Sequence, residues 1–287
     1  LYLIPFYTYS ITTNKWEISL LGSKLITYED NNFGGISGIT LSENGKNFTL
    51  ISDKSHYFQG KIVRDKLNKI IDFEILDQGQ LFSSKKENLT GRNIDSESIV
   101  RSKSNGFYIS FESNNRVMYH EDLNGPGKFL PKHPDFDKLL FNDGIEALAI
   151  KENGELFAIP ELPPKGKERH PIYRYHNNKW SIIDEIKINQ DFKVVDAEMI
   201  DDGNLITLER KFSFYDGFKI RLRRIIIEEN NIINSEILLE SLPWEYYNFE
   251  GLSKWKDSNG QIYLTLISDN QFSPLLETEV REFILKK

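Results

Sequence analysis

A hairpin-like unit recurs five times along this chain, and it constrains the fold more than any other feature of the sequence. Each copy has a short apolar run, a turn containing Asn-Gly or Asp-Gly, and a second run rich in β-forming residues. The stretch "DGIEALAIKENGELFAIPE", from Asp143 to Glu161, shows the pattern, with an acid near each end. The five copies span residues 34–53, 95–112, 143–161, 196–209 and 248–269. The pattern predicts five β-hairpins.

The spacing of the copies indicates how the hairpins assemble. Aligned on their first polar position, they lie 49 to 60 residues apart, close to the length of a four-stranded propeller blade, which is about 40–50 residues. Further strand-like segments follow the hairpins, and no amphipathic helix is evident. The last copy is one strand short, and the N-terminal "WEISLLGSKLITYE" has no blade of its own. We therefore predict an all-β fold, a single β-propeller domain over residues 1–287 with five four-stranded blades closed by an N-terminal strand. Six blades would result if residues 1–10 belonged to a diverged extra blade.

Composition narrows the classes of function. The chain has 287 residues and a formal net charge of −7, which argues against nucleic acid as a partner. It contains no cysteine, so disulfides, thiol catalysis and zinc–thiolate sites are excluded. The sequence also has no apolar run long enough to span a bilayer. The expected partner is a small anionic substrate or ligand.

The acids of each copy are expected to meet at one mouth of the propeller channel. The first strand of a blade lines the channel and the second runs antiparallel to it, so the start of one lies beside the end of the other. The predicted inner ring is Glu97, Glu146, Glu198 and Glu250, with Ser37 in the fifth place. A neighbouring ring is Asp53, Glu112, Glu161, Glu209 and Asp269. The residue after each inner position is small (Gly38, Ser98, Ala147, Gly251) except for Met199, as suits a crowded axis.

Several carboxylates this close together repel one another unless something compensates for their charge. A bound cation, raised pKa values or backbone amides of the next blade could each do so. Ca²⁺ suits such a site because it takes six to eight oxygen ligands in flexible geometry. The predicted metal ligands are Glu97, Glu146, Glu198, Glu250 and Asp269. The alternative for each glutamate is a structural hydrogen bond to a neighbouring blade.

Basic residues follow several of the second strands. His56, Arg116 and Arg210 stand nearest to the motif acids in sequence and are the predicted contacts to an anionic substrate; the alternative is that they are ordinary exposed loop charges. Ser37 is a poor candidate nucleophile because "GGISG" lacks the glycine of a hydrolase elbow at Ile39 and leads into a strand. The sequence singles out no catalytic residue.

Four segments carry a resemblance to a known family. "FGGISGITLSENGKNFTLISD", "DSESI", "NDGIEALAIKENGELFAIPE" and "LISDN" resemble, in order, the motifs of the bacterial "esterase-like activity of phytase", or phytase-like, β-propeller family. The resemblance runs from Phe33 to the C-terminus. It implies a propeller, export to the periplasm or secretion, and a phosphoesterase or esterase activity. The chain departs from the family pattern at Ser98, where glycine is usual, and at Met199.

These observations lead to one functional hypothesis and two rivals. The hypothesis is a Ca²⁺-dependent hydrolase that acts on a phosphate or carboxylic ester at the acidic mouth, with metal-activated water as nucleophile and a carboxylate as base. The first rival is a non-catalytic propeller that binds a small ligand or a protein. The second is a lactonase-like calcium enzyme.

Overall fold

Five four-stranded antiparallel sheets form a ring in the computed structural model, which describes residues 15–139, 143–188 and 191–287. The expectation of a five-bladed all-β propeller is confirmed. Residues 1–10, on which a sixth blade would depend, lie outside the described residues.

The strands follow one another outward from the channel in each blade. Strand β1 covers Glu17–Leu25. Blade 1 contains β2 (Ile36–Leu41), β3 (Asn47–Ser52), β4 (His56–Arg64) and β5 (Ile70–Gln80). Blade 2 contains β6 (Ser96–Arg101), β7 (Phe107–Phe111), β8 (Arg116–His120) and β9 (Lys128–Phe129). Blade 3 contains β10 (Ile145–Ile150), β11 (Leu156–Pro160), β12 (His170–His176) and β13 (Lys179–Ile186). Blade 4 contains β14 (Lys193–Asp201), β15 (Asn204–Ser213), β16 (Gly217–Glu228) and β17 (Asn231–Glu240). Blade 5 contains β18 (Phe249–Lys256), β19 (Ile262–Ser268) and β20 (Glu279–Lys286).

The N-terminal strand closes the ring, as the sequence predicts. Strand β1 pairs antiparallel with β20, from Glu17 opposite Lys286 to Leu25 opposite Glu279, and becomes the outer strand of blade 5. The first and last strands of the described residues therefore share one sheet. Blade 5 thereby has four strands like the other blades, and the edge of β20 is covered by β1.

The inner strands β2, β6, β10, β14 and β18 each contact their two neighbours and surround the channel. The strands approach closely there. A Cβ on Gly38 would lie 3.1 Å from the carbonyl oxygen of Glu97, and one on Gly251 would lie 3.0 Å from the backbone nitrogen of Ile39. At these two positions the small residue is required by the neighbouring backbone.

The hydrophobic core lies between the blades rather than at the axis. Five clusters of buried side chains each draw on two adjacent blades; Leu208 and Leu264, for example, share the cluster between blades 4 and 5. Trp16, Trp180 and Trp255 belong to these clusters. Trp244 is 69% exposed instead.

The inner hairpin turns lie together at the end of the channel opposite to the strand starts. Most use one left-handed residue rather than the two expected from Asn-Gly: Gly45, Asn105, Gly154 and Gly260 have φ between 67° and 89°. In blade 1, the N–H of Gly45 donates to the carbonyl of Ser42. The turns are thus longer than two-residue hairpins, with a single residue in the left-handed region.

Helical structure in the described residues is limited to two single 3₁₀ turns, Gly91–Asn93 and Phe136–Lys138. Neither offers the length or the apolar character of a membrane-crossing helix.

Candidate functional site

The inner strands begin with a bulge that places one extra residue at the mouth of the channel. The register shifts at Ser37 in blade 1, at Glu97 and Ser98 in blade 2, at Glu146 in blade 3 and at Glu250 in blade 5. Bulges re-aim a side chain at a strand end. Glu97, Glu146 and Glu250 therefore share one structural position, as the sequence predicts, and we call this end of the channel the acidic mouth. Ser37 takes the fifth place and donates its hydroxyl to the carbonyl of Ser96, 2.6 Å away.

Blade 4 departs from the predicted alignment by three residues. Its bulge falls at Val195, between the pairs Val194–Glu209 and Asp196–Leu208. Val195 is thus the structural counterpart of the inner glutamates, and it packs in the cluster between blades 4 and 5. The placement of Glu198 in the inner ring is wrong. The residue directly after the bulge in blade 4 is Asp196. Met199 does not occupy this position, so it is not an exception to the pattern of residues after the bulge.

Glu198 lies instead toward the opposite mouth, where the hairpin turns are. It lines a cavity there with residues of all five blades. One of its carboxylate oxygens is 3.7 Å from Nζ of Lys254, and another accepts the backbone N–H of that residue. The sequence "DAE" at residues 196–198 resembles "DSE" at residues 95–97 of blade 2, so an alignment by motif places Glu198 at the position of Glu97. The distance to the turn reveals that this placement is wrong, because Ser37, Glu97, Glu146 and Glu250 stand eight to ten residues before the glycine of their turn, and Glu198 only five.

The ends of the second strands give four acids and one arginine. Asp53, Glu112, Glu161 and Asp269 each donate their backbone N–H to the residue that precedes the inner strand. The residue of blade 4 in this register is Arg210, opposite Lys193. The predicted neighbouring ring is therefore wrong at Glu209. That side chain is fully buried within the blade, with Oε1 2.5 Å from Nε of Arg223.

Blade 4 consequently supplies cations to the acidic mouth. Arg210 pairs with Glu250, donates to Oδ1 of Asn248 at 2.7 Å, and reaches Oε1 of Glu161 at 3.4 Å. Burial acts to lower the pKa of Arg210, but the surrounding carboxylates outweigh it and the net pKa is raised. Nζ of Lys193 lies 2.8 Å from Oε2 of Glu161 and 2.6 Å from Oδ1 of Asp143. On this side of the mouth, ion pairs with Arg210 and Lys193 neutralise the carboxylates.

Blade 2 supplies a group of acids on the other side. Ligand oxygens of Asp95, Glu97 and Glu112 all lie within 4.8 Å of one another; we call these three residues the carboxylate cluster. Oε1 of Glu112 accepts the N–H of Gly144 at 2.8 Å, and Oδ2 of Asp95 accepts the hydroxyl of Ser113 at 3.0 Å. Within the part of the chain that the structure describes, no donor bonds to the Glu97 carboxylate.

The pKa values of the acids are raised by burial and by one another. Burial and the charges of Glu146, Asp95 and Glu112 hold the pKa of Glu97 well above its usual range. Burial raises the pKa of Glu112 to about 7 against the hydrogen bond from Gly144. Burial likewise raises the pKa of Glu161 to about 7, and burial with the charge of Glu250 raises that of Asp269 to about 8.

A hard divalent cation fits the carboxylate cluster. Its donors are carboxylate oxygens, which Ca²⁺ prefers. Oδ1 of Asp53, whose carboxylate is a charged neighbour of Asp95, is buried without a hydrogen-bond partner in the described chain. A cation at this position would satisfy unpaired oxygens and would favour the ionised acids. Asp95, which the sequence analysis did not propose, thus belongs to the candidate metal site.

Two of the other predicted metal ligands, Glu250 and Asp269, have protein partners. Glu250 is bound by Arg210 and by the side-chain amide of Asn248 at 2.8 Å. Oδ1 of Asp269 accepts the N–H of Gln271 at 2.7 Å. Glu146 accepts no hydrogen bond from the described residues and lies between the two sides, since Glu112, Glu161, Glu250 and Arg210 all act on its charge.

Two of the three predicted substrate contacts have other surroundings: His56 lies away from the channel, and Arg116 is hydrogen-bonded to backbone carbonyls. His56 lines a separate depression with Gln78 and Gln80 in the outer half of blade 1, and burial lowers its pKa. Arg116 is 2% exposed and donates to the carbonyls of Asn93 and Asn114 at 2.6 and 3.1 Å. Of the three, Arg210 alone hydrogen-bonds to acids of the mouth, although the charge of Asp95 also acts on Arg116.

A hydrogen-bonded strut crosses the channel below the acidic mouth. The buried Asp196 accepts the hydroxyl of Ser98 at 2.8 Å and the N–H groups of Leu252 and Ala197 at 2.6 and 2.9 Å. Oγ of Ser98 in turn accepts the N–H of Leu148 at 3.1 Å. Ser98 therefore links blades 2, 3 and 4 rather than distorting the channel. The strut separates the two mouths.

Several solved structures are similar to this chain, and the one with a TM-score of 0.50 supports the fold alone. A protein of unknown function from Dyadobacter fermentans has a TM-score of 0.50 at 7% identity, covering 94% of this chain and 99% of its own. A virginiamycin B lyase from Staphylococcus aureus has a TM-score of 0.42 at 11% identity, with the same coverages. A gluconolactonase from Xanthomonas campestris has a TM-score of 0.44 at 7% identity, covering 83% of this chain and 68% of its own.

No curated protein sequence matches the chain. The family model described as "Phytase-like: esterase-like activity of phytase" matches residues 31–272, which include all four inner strand starts with an acid or serine at the bulge. This chain belongs to the phytase-like family, as its motifs and its five-bladed fold indicate.

Proposed function

We propose that this protein is a Ca²⁺-dependent hydrolase of a phosphate or carboxylic ester, with the metal held by Asp95, Glu97 and Glu112. One observation carries the proposal: these three carboxylates converge within 4.8 Å, and no described donor bonds to Glu97. Cations of blade 4 neutralise the acids on the other side of the same mouth. A bound cation would neutralise the carboxylate cluster, which has no ion pair with a described residue.

Ca²⁺ bound there would polarise an ester or phosphoryl oxygen and lower the pKa of a water ligand. The protein supplies the remaining roles. Glu146 lies between the carboxylate cluster and Arg210, and its carboxylate is free of described hydrogen bonds, so we assign it the proton of the attacking water. Burial raises its pKa, so hydrolysis should increase with pH as Glu146 ionises. Arg210 and Lys193 would orient the anionic part of the substrate.

Arg210 and Lys193 can serve this role only by sharing their carboxylate partners with the substrate. Arg210 has two carboxylate partners and Lys193 has two. A substrate oxyanion would therefore compete with Glu161 and Glu250, which favours substrates with a high negative charge. Phosphate esters satisfy this condition better than neutral esters. Export to the periplasm or secretion, where free Ca²⁺ is plentiful, is consistent with the proposal.

The test is calcium binding combined with hydrolysis, on protein stripped with a chelator and then titrated with Ca²⁺. Substrates are 4-nitrophenyl phosphate, inositol hexakisphosphate, 4-nitrophenyl acetate and gluconolactone. We expect hydrolysis of a phosphate ester that is lost on chelation and restored by Ca²⁺. E97Q should weaken calcium binding at least tenfold without destabilising the metal-free protein, because it removes one of several repelling carboxylates.

The matched control is E121Q, since Glu121 is exposed and pairs only loosely with Lys128 at 3.6 Å. Turnover that is unchanged by thorough chelation would refute the metal-dependent mechanism. Calcium binding without turnover of any substrate would favour the non-catalytic ligand-binding alternative. Turnover confined to gluconolactone would favour the lactonase-like alternative.

A further inference from the structure

A second cavity opens at the mouth opposite to the acidic one, where the inner hairpins turn. Its volume is about 490 Å³, within the range of roughly 300–1,000 Å³ for small-molecule sites. All five blades contribute to it, in most cases through the last residues of the inner strand and the first of the turn. We call it the turn-side cavity.

The charge of the turn-side cavity differs from that of the acidic mouth. Its basic residues are Arg101, Lys103, Lys151, Lys254 and Lys256, and its acidic residues are Glu43, Glu152, Glu198 and Asp257. The basic residues exceed the acidic ones by one, in a chain whose net charge is −7.

Two of these acids are already neutralised or occupied. Glu198 pairs with Lys254 at 3.7 Å. Asp257 accepts backbone N–H groups of Asn259 and Gln261, at 2.9 and 3.0 Å, and the hydroxyl of Tyr263 at 3.1 Å. Lys151 in turn pairs with Glu155, outside the cavity, at 4.0 Å. Arg101, Lys103 and Lys256 therefore remain as cations of the cavity without an ion-pair partner among the described residues, beside Glu43, Glu152 and the hydrogen-bonded Asp257.

Arg101 is the residue that most needs a partner. It ends β6, its guanidinium carbon lies 4.8 Å from the centre of the Phe107 ring, and its Nε is buried without a hydrogen bond. No carboxylate of the described residues pairs with it. A buried N–H that lacks an acceptor costs free energy, and a planar guanidinium binds a carboxylate or phosphate through two parallel hydrogen bonds. Burial also lowers the pKa of Arg101, which an anionic ligand would reverse.

Apolar side chains line the same cavity as Arg101. Leu41, Val100 and Ile150 line the cavity beside Arg101, and Ile150 is only half-buried. Such walls bind the body of a ligand while a few polar groups fix its orientation. We propose that the turn-side cavity binds a small organic oxyanion, a carboxylate or a phosphate with an apolar body, through Arg101 with Lys103 near the opening.

The site is separate from the acidic mouth. Asp196, Ser98 and the backbone of Leu252 are hydrogen-bonded across the channel between them. The proposal therefore does not depend on the proposed hydrolase function, and chelation should leave it intact.

The experiment is calorimetric titration of the intact chain, in chelator, with three probes: benzoate, phenyl phosphate and inorganic phosphate. We expect benzoate or phenyl phosphate to bind, inorganic phosphate to bind at least tenfold more weakly, and R101Q to weaken binding at least tenfold. The ratio of the first two probes distinguishes a carboxylate ligand from a phosphate ligand. K66Q is the control, because Lys66 is an exposed turn residue outside the cavity. Thermal unfolding of R101Q checks that the variant is folded.

Trp255 locates the bound probe, since it lines the turn-side cavity and the other three tryptophans do not. Its indole N–H resonance, assigned with W255F, should shift on titration. The proposal is overturned if none of the three probes binds, if R101Q and K66Q bind equally well, or if E97Q rather than R101Q abolishes binding. If R101Q does not fold, K103Q with the Trp255 resonance decides between the same outcomes.

Discussion

Blades 2 and 4 place opposite charges at the same structural positions of the acidic mouth. Two residues before the bulge, blade 2 has Asp95 and blade 4 has Lys193; in the second strand, opposite these residues, they have Glu112 and Arg210. At the bulge the difference is Glu97 against Val195.

The difference shows that one repeated structural unit can carry opposite charges at the same position in different blades. Blade 4 brings resident cations that neutralise Glu161 and Glu250. Blade 2 leaves a group of carboxylates that a diffusible cation can bridge. A repeat of this kind fixes positions, and each blade then sets the charge at those positions.

The largest effect is expected on removing the resident cation of blade 4. R210M would leave the half-buried Glu250 without its ion-pair partner and the buried Glu161 with Lys193 alone, and breaking a buried pair costs up to about 3–5 kcal/mol in free energy of unfolding. Urea unfolding at pH 8 measures it. R174M is the control, because the pair of Arg174 with Glu155 is long, at 3.7 Å, and should be worth less than about 1 kcal/mol. An equal, small loss in both variants would contradict a stabilising role for Arg210.

The pH dependence of stability tests the side of the acidic mouth where Asp53 and the carboxylate cluster have no ion-pair partner among the described residues. In the unfolded chain these carboxyls ionise near pH ~4, whereas burial raises the pKa of Asp53 to about 6 and that of Glu112 to about 7 in the folded protein. The folded state then binds more protons than the unfolded state across this window, so the free energy of unfolding falls as pH rises through it.

We expect a fall of roughly 2–4 kcal/mol between pH 5 and pH 8 in chelator. Saturating Ca²⁺ should flatten the curve, since the cation replaces the protons. Thermal unfolding in chelator and in Ca²⁺ gives both curves. Stability that rises with pH in chelator would contradict the repulsion among these acids.

The strut between the two blades should have an intermediate effect. D196A removes the acceptor of the buried N–H groups of Leu252 and Ala197 and of the Ser98 hydroxyl. We expect a loss of about 1–3 kcal/mol in unfolding free energy, and a double-mutant cycle with S98A should show coupling. Additive effects of the two changes would mean that the Ser98–Asp196 bond does not hold the blades together.

The smallest effect is expected at Glu198. A substitution there distinguishes the carboxylate cluster from the metal site predicted from the sequence, which included Glu198. E198Q should change the dissociation constant for Ca²⁺ less than twofold, because Glu198 lies toward the other mouth. E97Q should raise this constant at least tenfold. Calorimetry on both variants decides, and a comparable loss in E198Q would restore it to the metal site.

The sequence by itself determined the strands, the five blades and the closing strand. These follow from local signals: apolar runs, turn residues and a period of about fifty residues. It also determined that Glu97, Glu146 and Glu250 share a mouth, because antiparallel hairpins place strand starts together.

Only the tertiary structure decided which charges meet. The bulge of blade 4 falls at Val195, three residues before the position that motif similarity predicts, so Glu198 lies outside the acidic mouth and Asp196 lies in the channel. Arg210 reaches Glu250 and Glu161 on different blades, and the partners of Arg116 are backbone carbonyls in two different loops, at Asn93 and Asn114. Motif similarity cannot reveal these pairings, because a bulge costs little locally and contacts between blades depend on the register of strands that are distant in sequence.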